Sequence, residues 1–131
     1  MWFRFAPENI RRCAGLLNEF RNATKALPNL KVYTSYRPTE TTISAMKAEA
    51  DVRDPALRVP VPGRLLPNYS ACIVDENMKP VPIGVSGEIL LGGIGVGRNE
   101  YLNKSELTAQ AFIIDPFAKN NGNKSARMYR R

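Results

Sequence analysis

Eight residues carry the most chemistry in this chain: Ser35, Tyr36, Arg37, Pro38, Thr39, Glu40, Thr41 and Thr42. Pro38 fixes its own φ and biases Arg37 toward extended backbone, which gives Thr39 and Glu40 a defined direction. A hydroxyl beside a carboxylate suits Mg²⁺ and phosphate. The hydroxyl donates to a phosphate oxygen and the carboxylate takes the metal, an arrangement that magnesium favours. A capped polar turn has the same composition, so the motif alone leaves both readings open. A second stretch, Gly92 to Arg98 (GGIGVGR), is glycine-rich and follows an apolar run. It does not complete a dinucleotide fingerprint, because Arg98 stands where the third glycine belongs. Nor is it a P-loop, since no Gly-Lys-Ser/Thr occurs. Local chemistry assigns it to tight turns and close backbone approach.

Composition removes other mechanisms. The chain contains no histidine, which excludes Ser-His-Asp and Cys-His nucleophiles, histidine base catalysis and histidine-ligated zinc. Its two cysteines, Cys13 and Cys72, form no Cys-x-x-Cys pair and are expected to be buried, reduced and structural. The 131 residues, 44% hydrophobic and 24% charged, suit one ordinary globular domain. The net charge of +7 is uneven. Residues 1–37 hold seven basic and two acidic side chains, residues 38–116 seven and ten, and residues 117–131 five and none. Basic ends raise the question of nucleic acid. The tail KNNGNKSARMYRR has one tyrosine and no recognisable recognition motif, so the ends read as solvated and nucleic acid is not an expected partner. No apolar run reaches the roughly 18–20 residues of a membrane helix. The start, MWFRFAPENIRR, has no secretory h-region. The expectation is a cytoplasmic protein with no membrane partner.

These residues need elements to position them. Ile10, Cys13, Ala14, Leu17 and Phe20 recur at helical spacing from Pro7, which suits a first helical turn. Leu30 to Tyr33 reads as a short strand, placing the polar turn at a strand's C-terminal end, where open α/β sheets bind ligands. Residues 41–52 fit helix or strand. Prolines 55, 60, 62 and 67 make residues 53–69 an extended connection. Beyond it the period becomes two, with strands in SACIVD and GEILLGG around an Asp/Asn turn. LNKSELTAQAF predicts a short helix capped by Asn103, with Glu106 three residues on. Asp115 to Arg127 reads as loop.

Taken together, YRPTETT, PGRLLPNYSACIVDENMKPVPIGVSGEILLGGIGVGR, YLNKSELTAQAFIIDPF and RMYR resemble the adenylation domain of nonribosomal peptide synthetases, within the AMP-forming acyl-adenylate synthetase superfamily. The resemblance covers about Tyr33 to Arg130. It implies activation of a carboxylic acid, usually an amino acid, with ATP and Mg²⁺, and transfer to a phosphopantetheine thiol on a carrier-protein partner. By that resemblance Tyr36 packs on adenine, Thr39 contacts the α-phosphate, Thr34 completes the nucleotide-binding set and Glu40 holds the metal. Ser35, Ile43 and Ser44 line the acyl pocket, and the GEILLGG and YLNKSELT region is mainly architectural. The implied fold is α+β: a partial adenylate-forming core with an N-terminal helix and strand, then a β-rich, distorted barrel-like subdomain and a short helix. Its expected divisions are 1–52, carrying the turn, 53–69 as connection, and 70–131.

The departures are specific. Thr34 and Arg37 replace the family's asparagine and glycine. If that glycine serves a positive φ, an arginine costs about 1–2 kcal/mol there. If it serves close approach to nucleotide the arginine clashes, and an arginine can instead pair with phosphate. GRNEYL carries one residue more than the usual ARGYL. The family's phosphate loop, ribose-binding aspartate and catalytic lysine have no counterpart in these residues. The sequence therefore predicts an internal fragment, inactive alone, that works with the remaining parts of the domain and contains no catalytic residue. The alternative is a non-catalytic nucleotide- or partner-binding module.

Overall fold

The computed structural model describes residues 7–57, 61–98, 101–118 and 126–131, with side chains described from Leu16 onward. It is an α+β protein. Its order is α1 (Pro7–Ala26), β1 (Val32–Tyr36), a 3₁₀ turn (Thr39–Thr41), β2 (Met46–Ala50), β3 (Arg64–Leu65), β4 (Tyr69–Val74), β5 (Glu88–Gly93), α2 (Ser105–Ala111), β6 (Phe112–Ile114) and β7 (Arg127–Arg130). Two compact units divide the chain: residues 1–36 with 46–64, and residues 37–45 with 65–131.

The first unit rests on α1. Its periodicity delivers Leu17, 3% exposed, to a core with Val32 and Val52, flanked by Leu30, Ala50 and Leu57. Phe20, expected on the same stripe, is 41% exposed. Arg21 ties the helix to the loop after β2. Its guanidinium donates to the carbonyls of Val52, Asp54 and Leu57 at 3.0, 3.1 and 2.9 Å. The strand expected at Leu30–Tyr33 starts at Val32 and runs through Tyr36. It pairs antiparallel with β2 in a sheet of order β1-β2-β3, with Val32 opposite Ala50 and Tyr36 opposite Met46. The parallel-sheet geometry behind a strand-end ligand site is therefore absent from the described strands.

The second unit carries an antiparallel sheet of order β4-β5-β7-β6. This sheet stays open, and the described strands close no barrel. β5 lies between β4 and β7 and is buried without alternation from Ile89 to Gly92, the pattern of a strand covered on both faces. Val74, Leu90 and Met128 form the core. Cys72 is a free thiol, half-buried rather than buried, packed against that core. Cys13 lies outside the described side chains. Between β4 and β5 the Asp75 carboxylate accepts from the N–H groups of Asn77 and Lys79 at 2.9 and 2.8 Å, closing the expected turn.

One local expectation fails. α2 is capped at Lys104, without a side-chain cap bond, while Asn103 sits at φ 55 in the preceding turn. The loop expected from Asp115 holds at its described residues up to Ala126, and β7 then starts at Arg127 and pairs with both β5 and β6. Several large apolar side chains are exposed: Ile83, Leu102, Ile94 and Ile114 are 103, 86, 82 and 76% exposed.

Candidate functional site

The boundary between the units falls between Tyr36 and Arg37, so the candidate residues divide into two sets. In the first unit Thr34, Ser35 and Tyr36 lie on β1. The Thr34 hydroxyl donates to Val61 O at 2.6 Å, and Ser35 Oγ donates to Met46 O at 3.0 Å. All three border a cavity of about 220 Å³, otherwise largely apolar, whose walls include Leu17, Phe20 and Val52.

In the second unit Thr39, Glu40, Ile43 and Ser44 share one turn. Pro38 adopts φ −65°, ψ 137°, and a single 3₁₀ turn follows. Thr41, fully buried, donates its hydroxyl to Pro38 O at 3.1 Å. The chain then enters the left-handed region at Thr42 (φ 49°) and Ile43 (φ 66°). A β-branched residue is strained there, and Ile43 is 67% exposed, so no packing compensates it. Arg37, at the position where glycine was expected, is not among the residues of positive φ. Its Nε donates to Ile43 O at 3.1 Å, closing the turn on its outer side. Of the readings left open for Arg37, the positive φ is not found there; the turn's positive φ falls at Thr42 and Ile43.

The glycine-rich stretch holds this turn. Gly97 N–H donates to Glu40 O at 2.7 Å, and Thr42 Oγ1 donates to Gly95 O at 2.8 Å. Tyr69 Oη, from β4, donates to Thr41 O at 2.7 Å. A Cβ on Gly95 would stand 1.6 Å from Tyr69 Oη and 2.9 Å from Thr41 O, so only glycine fits. This stretch makes close backbone approaches to the turn.

Glu40 is half-buried, and its Oε1 accepts from Tyr101 Oη at 2.5 Å. This hydrogen bond, with burial and the Glu40 charge behind it, pushes the Tyr101 phenol up from 10.0 to about 12. Oε2 takes no hydrogen bond from a described residue. No cluster of three acidic, cysteine or histidine side chains forms among the described residues, so nothing here resembles an all-protein metal cage. The donor set is one carboxylate beside a threonine. That fits a hard cation bringing water and phosphate oxygens of its own, as magnesium does. Tyr101 was not singled out from sequence. It stands 61 residues from Glu40, inside a stretch read as architectural.

Residues 14–101, about two thirds of the chain, match the AMP-binding enzyme family. The chain belongs to that family. Within it the chain sits among the adenylation domains of nonribosomal peptide synthetases. It is 56% identical to the hybrid PKS-NRPS synthetase tasS of Hapsidospora irregularis, over 99% of this chain and 4% of that protein. The chain thus spans about 4% of the length of that curated relative. A crystal structure of a four-domain nonribosomal peptide synthetase bound to AMP and glycine superposes with a TM-score of 0.63 at 32% identity, covering 83% of this chain and 8% of that one. A synthetase described as containing adenylation and PCP domains shares the fold, with a TM-score of 0.69 at 22% identity, over 88% of this chain and 22% of its own. No described helix is long and apolar enough to cross a membrane.

Proposed function

We propose that these residues supply part of an adenylation site that activates a carboxylic acid, specifically an amino acid, in the cytoplasm. The acid's carboxylate attacks the α-phosphorus of ATP, the bond to the β-phosphate oxygen breaks, and acyl-adenylate and pyrophosphate result. The acyl group then passes to the phosphopantetheine thiol of a carrier protein, releasing AMP. In this reading Thr39 donates to the α-phosphate and Glu40 holds Mg²⁺, which neutralises phosphate charge when bound. Thr34 and Tyr36 serve the nucleotide, with Tyr36 on adenine, and Ser35, Ile43 and Ser44 contact the acyl substrate. Residues 1–52 would act as the turn-bearing part, 53–69 as connection and 70–131 as support.

The observation that supports this most is how Glu40 is held. Its backbone is pinned by Gly97, its neighbour Thr41 is wholly buried, and one carboxylate oxygen is taken by Tyr101. A turn fixed at three points presents Thr39 and Glu40 in one direction before any ligand arrives, and positioning of this kind is what phosphoryl chemistry draws on. The turn itself supplies no general base and no transition-state lysine, so turnover needs the remaining parts of the domain.

Calorimetric titration of the chain with Mg·ATP tests the reading. Binding heat that disappears in Glu40→Ala is expected, without amino-acid-dependent ATP–pyrophosphate exchange by the chain alone. Absence of heat, or the same heat in Glu40→Ala, overturns the nucleotide role. Exchange by the isolated chain overturns the need for the remaining parts.

A further inference from the structure

Tyr101 is more firmly held than a surface tyrosine needs to be. Its backbone N–H donates to Thr108 Oγ1 of α2 at 2.9 Å. Its ring packs on Phe112 with centroids 5.8 Å apart, and Phe112 packs on Tyr129 at the same distance. The phenol at the end of this stack donates to Glu40 Oε1, while Gly97 separately holds the Glu40 carbonyl. With one lone-pair site of Oε1 taken by the phenol, Oε2 is the oxygen more readily offered to a cation. Mg²⁺ uses carboxylate oxygens one at a time in a tight octahedron, whereas Ca²⁺ has a larger shell and accepts both oxygens of one carboxylate.

We infer that Tyr101 is a positioning residue that makes Glu40 a one-oxygen ligand and thereby sets a preference for Mg²⁺ over Ca²⁺. The inference rests on the reading of Glu40 as metal-holding. A merely structural tyrosine would change stability when altered but not the order in which cations compete.

The test uses the 131-residue chain with ATP and Mn²⁺ as the probe, read by water-proton relaxation and then competed with Mg²⁺ and Ca²⁺. The wild type should enhance relaxation and release Mn²⁺ to less Mg²⁺ than Ca²⁺. Tyr101→Phe should weaken Mn²⁺ binding about tenfold, as loss of an outer-shell partner does, and narrow the Mg²⁺-over-Ca²⁺ preference. Glu40→Gln should abolish the enhancement. If Tyr101→Phe keeps the wild-type preference while Glu40→Gln loses the enhancement, the inference fails and the Glu40 reading stands. If the wild type shows no enhancement, or Glu40→Gln matches it, both fail together. Should Tyr101→Phe not fold by circular dichroism, Glu40→Asp decides. Its carboxylate is one methylene shorter and falls out of the phenol's reach, so the preference should narrow in the same way. An unchanged preference in Glu40→Asp overturns the inference.

Discussion

Gly95→Ala places a methyl where the structure has no room. The new Cβ would lie 1.6 Å from Tyr69 Oη, 2.4 Å from its Cζ and 2.9 Å from Thr41 O. Two relaxations are open. Either the Tyr69 ring swings away and loses its bond to Thr41 O, or the glycine-rich stretch retreats and loses the bonds from Thr42 Oγ1 to Gly95 O and from Gly97 N to Glu40 O. Overpacking of this kind costs about 1–3 kcal/mol, and each hydrogen bond lost adds about 1 kcal/mol. The smaller unfolded-state entropy of alanine returns about 0.5–1 kcal/mol. The net loss is about 1–4 kcal/mol. Urea unfolding of the chain should therefore show a midpoint lower by about 0.5–2 M, at a slope of about 2 kcal/mol per M. Gly84→Ala is the control. Nothing lies within 4 Å of its added Cβ, but φ is +93°, so it should cost only about 1 kcal/mol. A Gly95→Ala midpoint at the wild-type value, or a smaller effect than Gly84→Ala, would refute the idea that this stretch braces the turn by close approach.

Three further outcomes follow from the same geometry. Ile43→Asn should raise stability by about 1 kcal/mol, seen as a Tm higher by a few degrees, because asparagine tolerates the left-handed backbone that isoleucine is forced into; a lower Tm contradicts the strain. Arg21→Ala should cost about 2–3 kcal/mol in urea unfolding, since one guanidinium serves three carbonyls, and Arg21→Lys should recover little of it because an ammonium lacks the fork. Tyr101 should ionise at about 12 by ultraviolet titration and move back toward 10 in Glu40→Gln. The folded state keeps this proton where the unfolded chain has lost it, so the contribution of the bond is present below about pH 10 and is lost as pH rises toward 12.

The sequence made the turn legible because proline, glutamate and hydroxyls carry their constraint locally. It made α1 legible for the same reason, since a 3.6-residue period needs no distant partner. Phe20 shows the limit of that argument, because the wheel assigns a face but not what covers it. Strands β6 and β7 have three and four residues, too short to show a period, and their pairing depends on residues far along the chain. Tyr101 and Tyr69 meet the turn across 61 and 28 residues, and no local pattern marks a tyrosine as the partner of a particular carboxylate. The positive φ at Ile43 runs against its residue type. The placement of Arg37 shows the converse: an apparent sequence defect whose backbone carries no strain and whose guanidinium closes the turn.

The most direct test of the account is an amide chemical-shift map of the ¹⁵N-labelled chain titrated with Mg·ATP. The account predicts shifts at Tyr36, Thr39 and Glu40 and at the Gly97 and Tyr101 amides that support them, all lost in Glu40→Ala. Shifts confined to the basic ends, residues 1–31 and 117–131, or a turn response that survives in Glu40→Ala, would contradict it and make the interaction one of bulk charge.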